Sequence, residues 1–158
     1  MRFLSIFFSL LLSGGCSGRF HSIEPSTRTP KLYERTDFTV LLTADYRNAY
    51  LQEEVALDML IETPSGEERL LPCFWVEGKS GAESRWEARF TPQEPGRYFC
   101  RFRLSEQGEE VARSRAVELS VQPAAEGERG ILHVRDNWTL VYDDGTPCLL
   151  YTSPSPRD

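Results

Sequence analysis

The residues best able to take part in chemistry are four aromatic side chains, Tyr50, Trp75, Trp86 and Trp138. Aromatic faces stack on sugar rings, and Tyr and Trp carry a polar group beside a large apolar surface. A glycan contact is therefore one interpretation of Tyr50, Trp75 and Trp138, and packing in a core or against another domain is the other. Trp86 opens a segment of alternating apolar residues, so we predict that it is a core residue.

Acidic and histidine side chains form no catalytic pattern. Cleavage of a glycosidic bond, for example, needs two carboxylates that flank the bond, and no motif marks such a pair here. Asp143-Asp144-Gly145 is acidic, but Asp-Gly supplies the positive φ that a hairpin turn requires. His21 and His133 have no second His or Cys at metal-ligand spacing. We predict no catalytic residue, no metal site and no cofactor.

The first cysteine follows a signal-like segment. Met1-Arg2 precedes the apolar run Phe3–Leu12, which is shorter than the roughly 20 residues that span a bilayer, so residues 1–15 indicate a secretion signal. Cys16 directly after small residues resembles a bacterial lipobox, in which the thiol is lipidated. We expect an exported protein anchored by this lipid, with Ser17 favouring the outer membrane. Plain secretion with an incidental cysteine is the alternative.

Two further cysteines lie in the middle of the chain. An oxidising compartment permits a disulfide between Cys73 and Cys100, but sequence does not set the Cα distance that a bridge needs. Two small buried thiols are the alternative.

Residues 31–123 read as short strands separated by turn signals. Apolar residues alternate in four clear runs, Val55–Ile61, Trp86–Phe90, Tyr98–Leu104 and Val117–Val121. Phe38–Ala44 mixes alternation with a buried run, and Glu68–Val76 is a further strand-like run. Such alternation puts one face of a strand in a core and the other in water. Turns about every 8–12 residues, without a strong helical stretch, predict an all-β fold, an immunoglobulin-like antiparallel β-sandwich.

One motif sharpens the fold prediction. Gly96 is followed by Tyr98 two residues before Cys100, the tyrosine-corner pattern of immunoglobulin-like sandwiches, in which the hydroxyl bonds back to the backbone. Trp75 lies too close to Cys73 for the spacing of antibody-type domains, so the prediction concerns architecture and not descent.

The flanking segments carry different signals. Residues 16–30 are rich in Ser, Thr and Pro and predict a flexible tether. Residues 124–147 predict junction strands. The tail, Cys148–Asp158, lacks periodicity and resembles a sequencing adapter translated in frame, so we set residues 148–158 aside as an artefact; a natural disordered tail is the alternative. The net charge of −6, with interspersed signs, argues against a nucleic-acid partner.

Three stretches together resemble the bacterial family called domain of unknown function 5060, an N-terminal β-sandwich of glycoside hydrolases. Asn48-Ala-Tyr50 is similar to the family's Asn-Pro-Tyr site, with Ala49 in place of the usual Pro. Three segments of this chain together are similar to the family's core motif: Phe74-Trp75, Trp86–Pro92 and Glu94-Pro-Gly96. Gly130–Pro147 is similar to the junction into a catalytic barrel, although Cys148-Leu149 stands where relatives have an aromatic pair.

The resemblance implies a non-catalytic accessory domain of a membrane-anchored glycoside hydrolase, whose (β/α) barrel would follow Pro147. On this hypothesis the fragment is not an enzyme, whereas the full gene product is. Its partners would be its own barrel in cis, a membrane through the lipid, and a polysaccharide. The alternatives are a stand-alone lipoprotein module that binds glycan or protein, and a purely structural spacer.

Overall fold

The computed structural model describes residues 19–136 and 139–148, and this part of the chain is all-β. In chain order its strands are β1 (Phe20–Pro25), β2 (Thr36–Thr43), β3 (Val55–Glu62), β4 (Glu68–Pro72), β5 (Phe74–Gly78), β6 (Glu83–Phe90), β7 (Gly96–Glu106), β8 (Glu109–Arg113), β9 (Val117–Val121), β10 (Leu132–Asp136), β11 (Thr139–Tyr142) and β12 (Pro147–Cys148). The predicted signal, Cys16, Trp138 and residues 149–158 lie outside the described residues. Within the described ranges, no helix has the length and apolarity to cross a membrane.

Two antiparallel sheets form the sandwich. The first has the order β1-β2-β6-β5; the second has the order β4-β3-β7-β8, and β9 pairs with β7 next to β8. This is the immunoglobulin arrangement, in which strands A, B, E and D oppose strands C, F and G, with an added strand beside C. The predicted fold class is confirmed.

The core lies between these sheets because their strands alternate as the sequence predicts. Strands β2 and β3 bury every second residue, and Phe38 of β2 meets Phe102 of β7 with ring centroids 5.6 Å apart. Trp86 is a core residue, as predicted, with only 2% of its surface exposed. Its indole N–H donates to Ser84 Oγ at 3.1 Å, which satisfies its one polar group inside the core.

The tyrosine corner is present at the start of β7. Tyr98 Oη accepts the Glu94 backbone N–H at 3.0 Å and donates to the Glu94 carbonyl at 3.1 Å. The ring packs against Phe90 with centroids 5.4 Å apart. The corner therefore ties the β6–β7 connection to the core.

The predicted tether is corrected from Phe20 onward. Strand β1 pairs with β2 from Phe20 to Pro25, and Phe20 and Ile23 pack against the core. The chain then crosses to β9, where the Ser120 and Gln122 N–H groups donate to the carbonyls of Arg28 and Pro30, each at 2.8 Å. The apolar content of residues 20–30 is too low for the sequence to indicate a strand. These residues are ordered instead by hydrogen bonds to neighbouring strands.

Two other differences concern strand number. The run Glu68–Val76 is split, because β4 pairs with β3 in the second sheet whereas β5 pairs with β6 in the first. Strand β8 was not predicted. It follows a tight turn in which Gln107 and Gly108 both have positive φ, 53° and 82°, so the Gln-Gly pair is the signal that could have indicated a hairpin.

Strands β10, β11 and β12 form a separate antiparallel sheet of three strands. The hairpin turn predicted at Asp143-Asp144-Gly145 joins β11 to β12, where the Gly145 N–H donates to the Tyr142 carbonyl at 2.8 Å. Asp144 Oδ1 accepts the Thr146 N–H at 2.8 Å, which fixes the turn. Cys148 pairs with Leu140, so the first residue of the segment set aside belongs to β12.

We expect Tyr98→Phe to lower the free energy of unfolding by about 1–2 kcal/mol, because the change leaves the Glu94 N–H and carbonyl without their partner. Urea denaturation followed by circular dichroism measures this loss. Tyr50→Phe is the matched control, since the Tyr50 side chain is exposed, and it should unfold at the wild-type midpoint. Equal midpoints for Tyr98→Phe and wild type would contradict a stabilising corner.

Candidate functional site

An aromatic cleft opens at one edge of the sandwich, between β5 of the first sheet and β3 of the second. Its volume is about 180 Å³. Its walls come from the loop after β2, from the first half of β3 and from the chain around the β4–β5 crossing. We call it the edge cleft. The residues that line it are Ala49, Tyr50, Gln52, Val55–Asp58, Pro72–Trp75 and Trp86. The cleft therefore brings together two of the predicted contact residues, Tyr50 and Trp75.

Trp75 occupies the boundary between core and surface. It pairs with Trp86 across the β5–β6 ladder, and directly paired side chains lie on the same face of a sheet. Trp75 is therefore directed toward the core, where it packs half-buried at the rim. Its indole N–H donates to Tyr46 Oη at 3.2 Å.

Tyr50 covers this indole from the solvent side. The two rings meet nearly edge to face, with centroids 5.4 Å apart and an angle of 76° between planes, a geometry that aromatic pairs favour. Yet 74% of the Tyr50 surface remains exposed. The ring is thus held on Trp75 while most of it stays accessible.

The loop that carries Tyr50 is fixed by its own side chains. Glu54 Oε2 accepts the N–H groups of Arg47 and Asn48, at 2.7 and 3.0 Å. Asn48 Oδ1 accepts the Tyr50 N–H at 3.0 Å, an Asx turn that sets the backbone direction at Tyr50. The Tyr46 N–H donates to Ser80 Oγ at 2.9 Å, so the loop is also tied to the β5–β6 connection.

Phe74 lies on the other rim of the cleft. It pairs with Glu87 on the outer face of the first sheet, and 38% of its surface is exposed. The Arg89 guanidinium carbon lies 4.9 Å from the ring centroid, within the range of a cation–π contact.

Polar groups in the cleft are few and are held in place. The Asp58 carboxylate accepts from the Arg103 guanidinium at 2.8 Å, and 16% of the Asp58 side chain is exposed. Burial, and then the nearby Asp58 carboxylate, raises the pKa of the Cys73 thiol well above its ordinary value. Cys73 therefore stays protonated and is a poor nucleophile.

Cys73 and Cys100 are separate free thiols. The Cys73 N–H donates to the Leu57 carbonyl at 2.8 Å, whereas Cys100 pairs with Ile61. Leu57 and Ile61 are four residues apart on β3, which separates the two cysteines by about 13 Å along the strand. A bridge needs Cα atoms within about 7 Å, so the structure favours the second interpretation, two separate thiols.

The two histidines and the acidic turn that the sequence analysis considered do not line the cleft. Asp143 accepts the Ile131 N–H at 2.7 Å and contacts the His133 imidazole; the Ile131 N–H, followed by His133, lowers the pKa of Asp143. His21 Nε2 pairs with Thr43 Oγ1 at 2.8 Å. Among the described side chains, no group of three or more His, Cys, Asp or Glu is placed to hold a metal ion.

Sequence reasoning missed Tyr46 and Phe74 as parts of this site. Tyr46 lies two residues before Asn48, so its proximity to the Asn-x-Tyr segment was the available signal. Trp138, the third predicted contact residue, lies outside the described residues.

Comparisons with known proteins bear on the fold. No protein-family model matches the chain, and no curated protein matches it. One similar solved structure is an uncharacterized protein of Listeria monocytogenes EGD-e in complex with α-D-glucose, β-D-glucose, magnesium and calcium, with a TM-score of 0.51 and 16% identity; the match covers 63% of this chain and 9% of that chain.

A second similar structure is the cycloalternan-forming enzyme from Listeria monocytogenes in complex with a pentasaccharide substrate. The TM-score is 0.51 and the identity 17%, and the match covers 63% of this chain and 9% of the enzyme. The chain thus spans about a tenth of the length of either protein. At these identities the likeness establishes a shared β-sandwich fold.

We expect the free energy of unfolding to fall as pH rises above about 9, in part because of Cys100. Burial raises the pKa of this thiol from 9.0 to about 12, so the folded state keeps a proton that the unfolded state loses. The stabilisation is complete below pH 9 and is lost as pH rises toward 12, by up to about 1.4 kcal/mol per pH unit.

Urea denaturation between pH 8 and 11 tests this dependence, with Cys100→Ala as the comparison. The variant should start from a lower stability, because the change leaves a cavity, but should lose less stability per pH unit. Parallel slopes for the two proteins would contradict a role for the thiol.

Proposed function

We propose that this chain contains the non-catalytic N-terminal accessory domain of a larger, membrane-anchored glycoside hydrolase of the kind that carries domain of unknown function 5060. The sandwich would precede a (β/α) catalytic barrel, with β10–β12 as the junction between them. The barrel would supply the hydrolytic carboxylates, and the sandwich would pack on it and help to shape its glycan cleft.

The likeness to the cycloalternan-forming enzyme is the observation that carries this proposal. That enzyme was solved with a pentasaccharide substrate, and the uncharacterized Listeria protein was solved with glucose. In both, the matched part is 9% of a longer chain. Sandwiches of this fold therefore occur as small parts of large proteins that bind sugars. The Asn48-Ala-Tyr50, Phe74-Trp75 and Gly130–Pro147 motifs support the narrower family assignment.

A stand-alone lipoprotein module is the second candidate function. It is favoured by one observation, the exposed Tyr50 ring held on Trp75 at the edge cleft. Such a module would bind glycan or protein through this cleft and would need no barrel. Export and a lipid at Cys16 belong to both candidates.

The reading frame distinguishes the two candidates. We expect long-read sequencing of the genomic DNA across the Pro147 codon to show a frame that continues for several hundred residues of alternating strand and helix. The residues after Pro147 would then differ from Cys148–Asp158, as an adapter origin requires. A stop codon directly after the Asp158 codon would contradict the accessory-domain proposal and would favour the stand-alone module.

Enzyme activity gives an independent test. We expect the purified full chain to release no product from soluble glucans, because catalysis is assigned to the barrel. Turnover that persists through repeated purification and follows the protein on a sizing column would contradict the non-catalytic role.

Lipidation is tested at Cys16. We expect cells fed a radiolabelled fatty acid to label the wild-type chain and to leave Cys16→Ser unlabelled, because the thiol is the proposed acceptor. Cys148→Ser is the matched control and should keep the label. Labelling of Cys16→Ser at the wild-type level would contradict a lipid anchor at this position.

A further inference from the structure

We propose that the edge cleft is a binding subsite for a single hexopyranose unit of a neutral glycan. The Tyr50 ring and the Trp75 indole form its stacking platform, and Asp58 and Gln52 supply hydrogen bonds to sugar hydroxyls. This inference deepens the proposed function, on which it rests for the class of ligand, by giving the accessory domain a glycan contact of its own.

The Tyr50 ring is fixed in place although most of it is exposed. Tyr50 is 74% exposed, so its ring gains little hydrophobic stabilisation from folding. The loop nevertheless fixes it through the Glu54 carboxylate, the Asn48 Asx turn and the contact with Trp75. Fixing a ring before a ligand arrives reduces the entropy lost on binding. This arrangement favours a ligand that covers the exposed face.

The walls of the edge cleft are mostly apolar and include two polar side chains, Asp58 and Gln52. Ligand sites are mostly apolar and carry a few convergent polar groups that set orientation. Asp58 is held by Arg103 through one carboxylate oxygen, and a carboxylate offers about four acceptor positions, so acceptors remain for hydroxyl donors. The Gln52 amide offers both donors and an acceptor, which suits hydroxyl groups that both donate and accept.

The volume and charge of the edge cleft limit the size and charge of its occupant. The cleft holds about 180 Å³, below the roughly 300–1,000 Å³ typical of sites for drug-sized ligands, so it suits one sugar ring. Among the described residues that line it, Asp58 is the one charged side chain and no Lys, Arg or His is present. The Asp58 carboxylate is paired with Arg103, and none of these lining residues is a cation that could pair with an anionic sugar, so a neutral unit is favoured.

Nuclear magnetic resonance tests the subsite on the full chain, ¹⁵N-labelled and kept in a detergent without a sugar head group. The probes are D-glucose and maltopentaose at millimolar concentrations, with the indole N–H signals as the readout. The Trp75 signal, assigned through its loss in Trp75→Phe, should shift and saturate with maltopentaose. In the same spectrum the backbone amide of Ser120 in β9, which donates to the Arg28 carbonyl outside the cleft, should not shift and serves as the internal control.

Variants at Tyr50 then test the stacking role without disturbing the core. Tyr50→Leu keeps an apolar side chain but removes the ring and should weaken binding about tenfold, the equivalent of about 1.4 kcal/mol. Tyr50→Phe keeps the ring and should bind within about twofold of wild type. Val134→Ala, at an exposed apolar residue of β10, should bind as wild type does.

Three outcomes would overturn the subsite. One is no shift of the Trp75 indole with either probe, which assigns the exposed ring to a protein contact. Another is equal binding by Tyr50→Leu and wild type. The third is a shift of the Ser120 amide, or shifts throughout the spectrum. None of these outcomes alters the reading frame after Pro147, so failure of the subsite and failure of the accessory-domain proposal are distinguishable.

Discussion

A single residue, Cys73, determines how the two sheets of this domain meet. Its N–H continues the ladder of β4 by donating to the Leu57 carbonyl at 2.8 Å, and the next residue begins β5 in the opposite sheet. Because only one residue makes the crossing, the direction of the side chains in β5 is fixed by β4. That constraint places Trp75 opposite Trp86, leaves Phe74 on the outer face, and opens the edge cleft between the sheets. A chain that crossed one residue later would exchange the faces of Phe74 and Trp75.

The sequence predicted those parts of the fold that depend on local pattern. Strands β2, β3, β6, β7 and β9 alternate apolar and polar residues, and the Gly-x-Tyr-x-Cys motif marked the tyrosine corner correctly. Strand β1 was not predicted, because Phe20 and Ile23 are its only large apolar residues. It forms a strand because it pairs with β2. The crossing at Cys73 escaped as well, since one continuous run of apolar residues does not reveal a change of sheet.

The candidate site was predicted in part. Tyr50 and Trp75 were singled out as aromatic residues, and the structure brings them into contact although 25 positions separate them in the chain. Their supports, Glu54 and Tyr46, were not predicted, because charged and aromatic residues in a loop carry no periodic signal and only the proximity of Tyr46 to Asn48 could have indicated its role. The relation between Cys73 and Cys100 also depends on register across β3, which the sequence does not specify.

Strand β1 begins only a few residues after the proposed lipidation site. With a lipid at Cys16, only residues 17–19 separate the anchor from β1, a reach of at most about 14 Å. The Thr43 N–H donates to the Arg19 carbonyl at 2.8 Å, and Arg19 pairs with Glu106, which also accepts the Asp45 N–H. Arg19 and the Tyr50 loop therefore lie at the same end of the sandwich. With a lipid at Cys16, this short segment would hold the edge cleft close to the bilayer surface. The opposite end of the sandwich, with Gly96 and Val121, would be directed away from the bilayer.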